Sequence, residues 1–332
     1  MKALILAVLV GYVVCPPQTR AAERSAPAQI TFRVITDDGL PVANVRVGAA
    51  TFSHWVPGEG FGRDKHRQFS AVTNAEGIAV LSASSKRGDF GYRVGDVPGY
   101  YTDHGNSFTL REVKNGRWEP WNPVVEITFK PITNPIPLYA RTVGNGERFK
   151  IPRVNEEFGF DFVVGDWVAP HGKGVSTDII FALTERVPYA GSDEPFDYSL
   201  NVTFPNPGDG IQGLIAIPHK GSALRLPRKA PEAGYEPKLE KRMALLARGE
   251  QRIIEMREDQ NYFIRVRTEL DDQGRVKSAL FGKISGDIRF GVNRILRFTY
   301  YLNPVSLDRN LEFDTKRNLF SRLDSLEEVR AP

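Results

Sequence analysis

Residues 30–47 read ITFRVITDDGLPVANVRV, and this stretch decides the fold of the first part of the chain. Apolar residues alternate with polar ones in ITFRV (30–34), and VRV (45–47) repeats that alternation after a DDGLPV turn. A period of two predicts strands with one buried face, and the glycine of the turn adopts positive φ readily. The stretch therefore predicts two strands of a small β-sandwich.

Further strands follow at short spacing. A TNAEG turn (73–77) precedes IAVL (78–81), and VEITF (125–129) again alternates apolar and polar residues, so it is predicted to close the module. The segment Ser53–Gln68 is longer and more charged than a plain hairpin connection. We interpret it as an exposed loop.

The order of these motifs resembles the carboxypeptidase regulatory-like domain, which is related to transthyretin. The resemblance implies a seven-stranded Ig/transthyretin-like sandwich over residues 28–131, a module that usually has an accessory role. Asn74 stands where the family more often has Asp. The residues that carry the resemblance are Gly39, Pro41, Val42, Val45, Val47, Thr73, Gly77, Gly99 and Tyr100.

The first 21 residues are predicted to be a secretory signal peptide. Met1 and Lys2 form a basic start, residues 3–14 form an apolar run, and small residues follow at Ala21 and Ala22. The run is shorter than the roughly 20 residues of a membrane-spanning helix, so no transmembrane segment is expected in the mature chain. The protein is therefore expected in the periplasm, on the bacterial cell surface or outside the cell.

Cys15, the only cysteine, lies inside this leader. The bulky Val14 before it disfavours lipidation, which nevertheless stays open. A mature chain cleaved near Ala21 has no disulfide, so its stability must come from its cores.

Composition limits the class of protein. The chain has 332 residues, of which 41% are hydrophobic and 11% aromatic, which is enough for two folded domains. The formal charge is +4, with Lys and Arg scattered among acidic residues. No nucleic-acid partner is therefore expected.

A Pro-rich linker is predicted at residues 131–137, and a larger β-rich domain of unknown function is predicted at 138–332. The linker PITNPIP contains three prolines, which favour extended backbone. The pattern beyond it predicts an antiparallel domain with one short amphipathic helix at Lys238–Leu246. Its predicted strands are 158–164, 178–183, 198–204, 213–217, 262–268, 276–284 and 295–302.

The second domain also resembles an uncharacterised family of exported bacterial proteins. The shared motifs are YFIRVRT (262–268), FGKISGD (281–287), YLNP (301–304) and DRNLEFD (308–314). This resemblance supports bacterial export and implies no activity.

The loop GDWVAPHGKG (165–174), followed by Asp178, is the first candidate site. Its glycines allow close backbone approach, and Asp166, His171 and Lys173 offer a carboxylate, an imidazole and a cation. An ordered structural turn, with Trp167 filling the core, is the competing interpretation.

Trp118 and Trp121 form the second candidate site, in the segment WEPW. An exposed aromatic pair at a sandwich edge can stack on sugar rings. The same two side chains can instead seal the interface between the domains, and both interpretations are open.

No catalytic motif is present. The chain has no G-x-S-x-G, no phosphate-binding G-x-x-x-x-G-K-[ST] and no H-E-x-x-H, and its five histidines have no metal-binding spacing. We therefore expect no cofactor and no metal site. Whether the protein is an enzyme stays uncertain, with the balance against it.

Three functions remain as hypotheses. The first is a non-catalytic exported protein that recognises a polysaccharide or an envelope protein. The second is a hydrolase of glycans or peptides with its site around Asp166 and His171. The third is a structural subunit of an envelope assembly that is joined through an exposed strand edge. The sequence does not indicate the oligomeric state.

Overall fold

The computed structural model describes residues 25–56, 63–102, 106–144, 147–215 and 221–332. In these ranges the chain forms 21 strands and one 3-10 turn, Glu147–Phe149, so the all-β prediction is confirmed. The predicted signal peptide, Cys15 and the histidines at positions 104 and 219 lie outside the described residues.

Strands β1–β10 form the first sandwich. One sheet has the order β4-β1-β10-β6, the other has the order β3-β2-β5-β7, and β8 and β9 form a separate hairpin. Without the two-residue β6, the two sheets contain seven strands, which is the number that the predicted sandwich has. The strands are β1 Ala26–Thr36, β2 Arg46–Val56, β3 Arg63–Val72, β4 Ile78–Ser85, β5 Asp89–Val94, β6 Tyr100–Tyr101, β7 Asn106–Thr109, β8 Glu112–Lys114, β9 Arg117–Glu119 and β10 Val124–Pro131.

Strand β1 shows how the alternating pattern builds the core of the first sandwich. Ile30, Phe32 and Val34 are almost fully buried in a cluster to which both sheets contribute. β1 pairs antiparallel with β4 and parallel with β10, which places Phe32 opposite Val125. Each such buried side chain contributes about 1.5–3 kcal/mol, so this strand is central to the stability of the sandwich.

The TNAEG turn fixes the start of β4 against β1 and β2. The Thr73 hydroxyl accepts the Val45 N–H at 2.9 Å and donates to the Val42 carbonyl at 2.8 Å. Gly77 has φ +73°, and a Cβ on it would lie 2.3 Å from the Val34 carbonyl oxygen. Threonine and glycine are therefore required at these positions of the turn.

The interpretation of Ser53–Gln68 as a loop is wrong for most of its length. β2 continues to Val56, and β3 pairs with it from Arg63 onwards, with a bulge between Phe52 and His54. β3 is the edge of its sheet, and charged residues are typical of edge strands because they discourage pairing with another chain. The charge of the segment therefore reflects its edge position.

Strands β11–β21 form the second sandwich. Its five-stranded sheet has the order β11-β21-β20-β19-β16, and its six-stranded sheet has the order β13-β12-β14-β15-β17-β18. The strands are β11 Tyr139–Val143, β12 Glu157–Asp161, β13 Asp166–Trp167, β14 Ile179–Val187, β15 Phe196–Thr203, β16 Gly210–Ile215, β17 Lys238–Leu245, β18 Ile253–Ile254, β19 Gln260–Leu270, β20 Val276–Phe290 and β21 Leu296–Leu302.

The two sheets of the second sandwich enclose an aromatic core. Phe160 and Phe181 come from the six-stranded sheet, and Phe298 and Tyr300 come from the five-stranded sheet. The ring of Phe160 is T-shaped to the other three, with centroids 6.0–6.5 Å apart. This geometry is favourable beyond the area that the rings bury.

The helix predicted at Lys238–Leu246 is wrong, because β17 occupies this segment and pairs with β15 along its length. Leu239 and Met243 pack against the core as alternate residues of a strand. Between them, Lys241 takes a core-facing position, where its Nζ lies 2.8 Å from Asp287 Oδ1. Because a lysine occupies the inner position between Leu239 and Met243, the segment does not show the apolar alternation of a strand. The two apolar residues are instead four positions apart, which is a spacing typical of a helix.

The five-stranded sheet is buried on its second face as well. The C-terminal segment and the segment before β17 cover it, through residues such as Leu311, Phe313 and Ala230. Lys283 lies in this layer at 1% exposure, and its Nζ is 4.5 Å from the centre of the Tyr301 ring. The Nζ has no hydrogen-bond partner among the described residues.

The predicted linker is hydrogen-bonded to the second sandwich. Glu312, at 1% exposure, accepts the N–H groups of Thr133 at 2.8 Å and Asn134 at 3.0 Å, together with the Thr133 hydroxyl. From the first sandwich, the Tyr101 hydroxyl donates to the same carboxylate at 3.0 Å. We call this arrangement the Glu312 clamp. The domain boundary itself stays a prediction.

Arg228 adds a second connection between the two sandwiches. It donates to Asp37 Oδ2 at 3.2 Å and to the Pro131 carbonyl at 2.5 Å, and its Nε lies 3.7 Å from Glu312 Oε2. Burial alone raises the pKa of Glu312, but the hydrogen bonds it accepts outweigh burial and hold the pKa below its usual value. The Glu312 carboxylate is therefore ionised in the Glu312 clamp.

Candidate functional site

The loop between β12 and β14 contains five of the predicted site residues, and Asp166 is buried within it. Asp166 Oδ1 accepts the Trp167 N–H at 3.0 Å, and Oδ2 accepts the Lys173 N–H at 3.2 Å. Arg148 approaches Oδ2 at 3.4 Å. Both carboxylate oxygens are thus engaged in closing the loop.

Asp178 binds Arg267 on β19 together with Asp161, a residue that the sequence did not indicate. Arg267 Nε donates to Asp178 Oδ1 at 2.7 Å, and Nη2 donates to Asp161 Oδ1 at 3.0 Å. Asp161 also accepts four backbone N–H groups, and Asp178 accepts the Phe162 N–H at 2.8 Å. The pair anchors the two ends of the loop to the opposite sheet.

Burial and hydrogen bonding act in opposite directions on these two carboxyls. Burial raises the pKa of Asp178, and Arg267 offsets part of that effect. For Asp161, burial also favours the neutral form, but its backbone donors and Arg267 outweigh burial, so the pKa falls below its usual value. Asp161 therefore carries the charge that pairs with Arg267, as a structural residue does.

Trp167 fills the core, as the structural interpretation of the loop proposed. It is 2% exposed, and its ring is T-shaped to Phe160 and Phe181 at 5.6 and 6.0 Å. Its Nε1 donates to the Arg148 carbonyl at 3.2 Å. The indole is unavailable to a ligand in this arrangement.

His171 and Lys173 lie exposed at the tip of the loop. The His171 ring is T-shaped to the ring of Phe158, with centroids 4.9 Å apart. Four cavities among the described residues, of about 820, 530, 430 and 570 Å³, are lined by other residues. The loop therefore presents His171 and Lys173 to solvent and uses its buried carboxylates for internal hydrogen bonds.

We expect Asp166→Ala to lower the free energy of unfolding by about 1–3 kcal/mol, because it leaves the buried Trp167 N–H and the partly buried Lys173 N–H without their acceptor. His171→Ala and Lys173→Ala should each change it by less than about 1 kcal/mol, since both side chains are exposed. Urea denaturation of the three variants checks this ranking. A neutral Asp166→Ala would contradict the structural role of the loop.

Trp118 and Trp121 lie at the end of the first sandwich, where β9 leads into β10. Trp118 is partly buried against the core of that sandwich, and its Nε1 donates to the Ser85 carbonyl at 2.9 Å. Arg117 covers the ring of Trp121, with its guanidinium carbon 5.1 Å from the centroid. Neither tryptophan is among the residues of the Glu312 clamp, and both are half-buried.

The largest of the four cavities is an open groove of about 820 Å³ on the outer face of the sheet β3-β2-β5-β7. We call it the outer groove. Its floor is formed by Gly48 and Ala50 on β2 and by Gly91 on β5, which lies opposite Ala50. Gln68 and Ser70 of β3 border one side, and Ser107 of β7 borders the other.

The glycines of the floor are not required by the fold. Neither Gly48 nor Gly91 has a positive φ, and a Cβ on Gly91 would meet no atom within 4 Å. Glycine inside a strand is unfavourable, and it often marks a site where a ligand approaches the backbone closely. Sequence reasoning missed this site. Its signal was small residues at the solvent-facing positions of VRVGAAT and FGYRV, where polar side chains are usual.

The described residues contain no group of three or more His, Cys, Asp or Glu side chains that could hold a metal ion. In the same part of the chain, no helix is long and apolar enough to cross a membrane. The outer groove is lined by amides, hydroxyls, small residues and two arginines. Its polar groups can form hydrogen bonds with a ligand.

Comparison with known proteins assigns no family. No family model matches the chain, and no curated protein matches it. Among solved structures it is similar to the crystal structure of BcpA, the major pilin subunit of Bacillus cereus. The two share 10% identity over 88% of this chain and 97% of that chain, with a TM-score of 0.22. A likeness at this level carries no argument about function.

Proposed function

We propose that this is an exported, non-catalytic protein that binds a polysaccharide chain in the outer groove of its first sandwich. The observation that carries the proposal is the floor of the groove, where two glycines and an alanine leave the backbone of β2 and β5 uncovered. A volume of about 820 Å³ is within the usual range for ligand sites.

The residues around the floor suit a sugar polymer. Gln68, Ser70 and Ser107 supply an amide and hydroxyls, which donate to and accept from sugar hydroxyls. The groove is open along the face of the sheet, so an extended chain can cross it without threading through a tunnel. Export itself rests on the leader sequence at residues 1–21.

The groove favours binding over catalysis, because no carboxylate, histidine or cysteine is among its described lining residues. The loop at residues 165–174, which the hydrolase hypothesis takes as its active site, gives that hypothesis little support. Asp166 and Asp178 are occupied by backbone donors and by Arg267, and the His171 ring contacts Phe158. The loop therefore supports a structural interpretation.

Gly91→Val tests the proposal, because it should separate stability from binding. Valine fits the ordinary strand backbone at this position and removes the cost of glycine, so the protein should become more stable by about 0.5–1 kcal/mol. The side chain would fill the floor and weaken polysaccharide binding by about tenfold or more. Denaturant unfolding and affinity electrophoresis in gels that contain soluble polysaccharides measure the two effects.

Ser82→Val is the matched control, since Ser82 is an exposed residue on the outer face of the opposite sheet. It should leave polysaccharide binding unchanged. If Gly91→Val is stable and binds as well as the unaltered protein, the groove is not the site.

A further inference from the structure

The charge around the outer groove narrows the class of polysaccharide. Arg93 lies opposite Gly48 across β5 and β2, and Arg46 lies two residues before Gly48 on the same face of β2. Both arginines line the groove, and none of its described lining residues is acidic. The positive side chains therefore stand at one end of an uncharged floor.

Arg46 is available to a ligand. Its Nη1 donates to Ser70 Oγ at 3.2 Å, and the described part of the chain gives it no ion pair with a carboxylate. Two acidic residues lie near the groove: Asp89, two residues before Gly91 on β5, accepts the Thr109 hydroxyl at 3.0 Å, and Asp96, next to Gly95, accepts the Thr102 hydroxyl at 2.8 Å. An exposed arginine without a carboxylate partner has further donors of its planar guanidinium available for an anion.

From these contacts we infer that the chain held in the outer groove is an acidic polysaccharide, whose carboxylate or sulfate groups bind Arg46. This inference rests on the proposed function. Arginine binds either oxyanion with two parallel hydrogen bonds, so the geometry selects negative charge on the sugar and does not distinguish the two groups. The sugar rings would lie over the Gly48, Ala50 and Gly91 floor.

The test uses affinity electrophoresis of the protein in gels that contain polygalacturonate, dextran sulfate or neutral dextran. The protein should be retarded by one or both acidic polymers and pass freely through dextran. Arg46→Gln should weaken the retardation about tenfold, the effect of losing one charge-assisted contact. Arg33→Gln removes the same charge from the outer face of the opposite sheet and should have no effect.

The outcomes separate the two proposals. Retardation by only one acidic polymer identifies the anionic group and supports the inference. Equal retardation by dextran that is lost in Gly91→Val overturns the acidic class and leaves the groove as the site. Equal effects of Arg46→Gln and Arg33→Gln, or equally tight binding of polyglutamate, overturn the inference.

Discussion

Glu312→Ala is expected to lower the free energy of unfolding by about 3–5 kcal/mol, because it removes the buried centre of the Glu312 clamp. The N–H groups of Thr133 and Asn134 would lose their acceptor inside the protein. Arg228 and the buried Lys283 would also lose a neighbouring negative charge. Chemical denaturation near pH 7 measures the loss.

The same substitution should expose the segment 131–137 to proteases. In the unaltered protein its backbone is held by Glu312 and by contacts such as Arg317 to the Pro135 carbonyl at 2.9 Å. We expect limited proteolysis to cut the variant in this segment and to leave the unaltered protein whole. Glu240→Ala, at an exposed carboxylate, is the control and should be neutral. A Glu312→Ala protein as stable as this control would refute the clamp.

Lys283→Met is expected to stabilise the protein by about 2–4 kcal/mol at neutral pH. Burial lowers the pKa of Lys283 from 10.5 to about 7, with Glu312 opposing that effect and Lys130 adding to it. Between pH 7 and 10.5 the unfolded chain binds a proton that the folded protein does not, so stability rises with pH in this window. Methionine has a similar shape and no charge to bury.

The pH dependence distinguishes this explanation from a simple packing effect. The unfolding free energy of the unaltered protein should rise from pH 7 to about 9, and Lys283→Met should flatten that rise. The range ends about one unit below the ordinary tyrosine pKa of about 10, so few tyrosines of the unfolded chain ionise within it. Lys277→Met on the same strand replaces an exposed lysine and should leave the slope unchanged. A Lys283→Met protein that is less stable than the unaltered protein, and whose unfolding free energy changes with pH to the same extent, would be inconsistent with a buried neutral amine.

The sequence predicted the elements whose signals are local. The alternation in β1 and the residue types of the TNAEG turn are visible in the segments themselves, although Thr73 and Gly77 contact residues at least 28 positions earlier in the chain. The prediction for the β17 segment was wrong because Lys241 faces inward, and its partner Asp287 is 46 residues away in the sequence. The charged residues of β3 also obscured its strand pattern. They reflect its position at the edge of the sheet, which depends on how distant strands pair.

The candidate sites depended even more on distant pairing. Asp178 was identified as a polar residue near a glycine-rich loop, but its partner Arg267 lies 89 residues further along the chain. The outer groove exists because Gly91 lies opposite Ala50, and no local pattern gives that register. Residue types were therefore visible in the sequence, whereas their roles were set by the pairing of strands.

The most direct test of the central claim is a crystal structure of the protein with an oligosaccharide of galacturonic acid. The outer groove predicts electron density for the sugar chain across Gly48, Ala50 and Gly91, with a carboxylate within hydrogen-bond distance of Arg46. Density at the tip of the loop near His171 or on the ring of Trp121, with an empty outer groove, would contradict it.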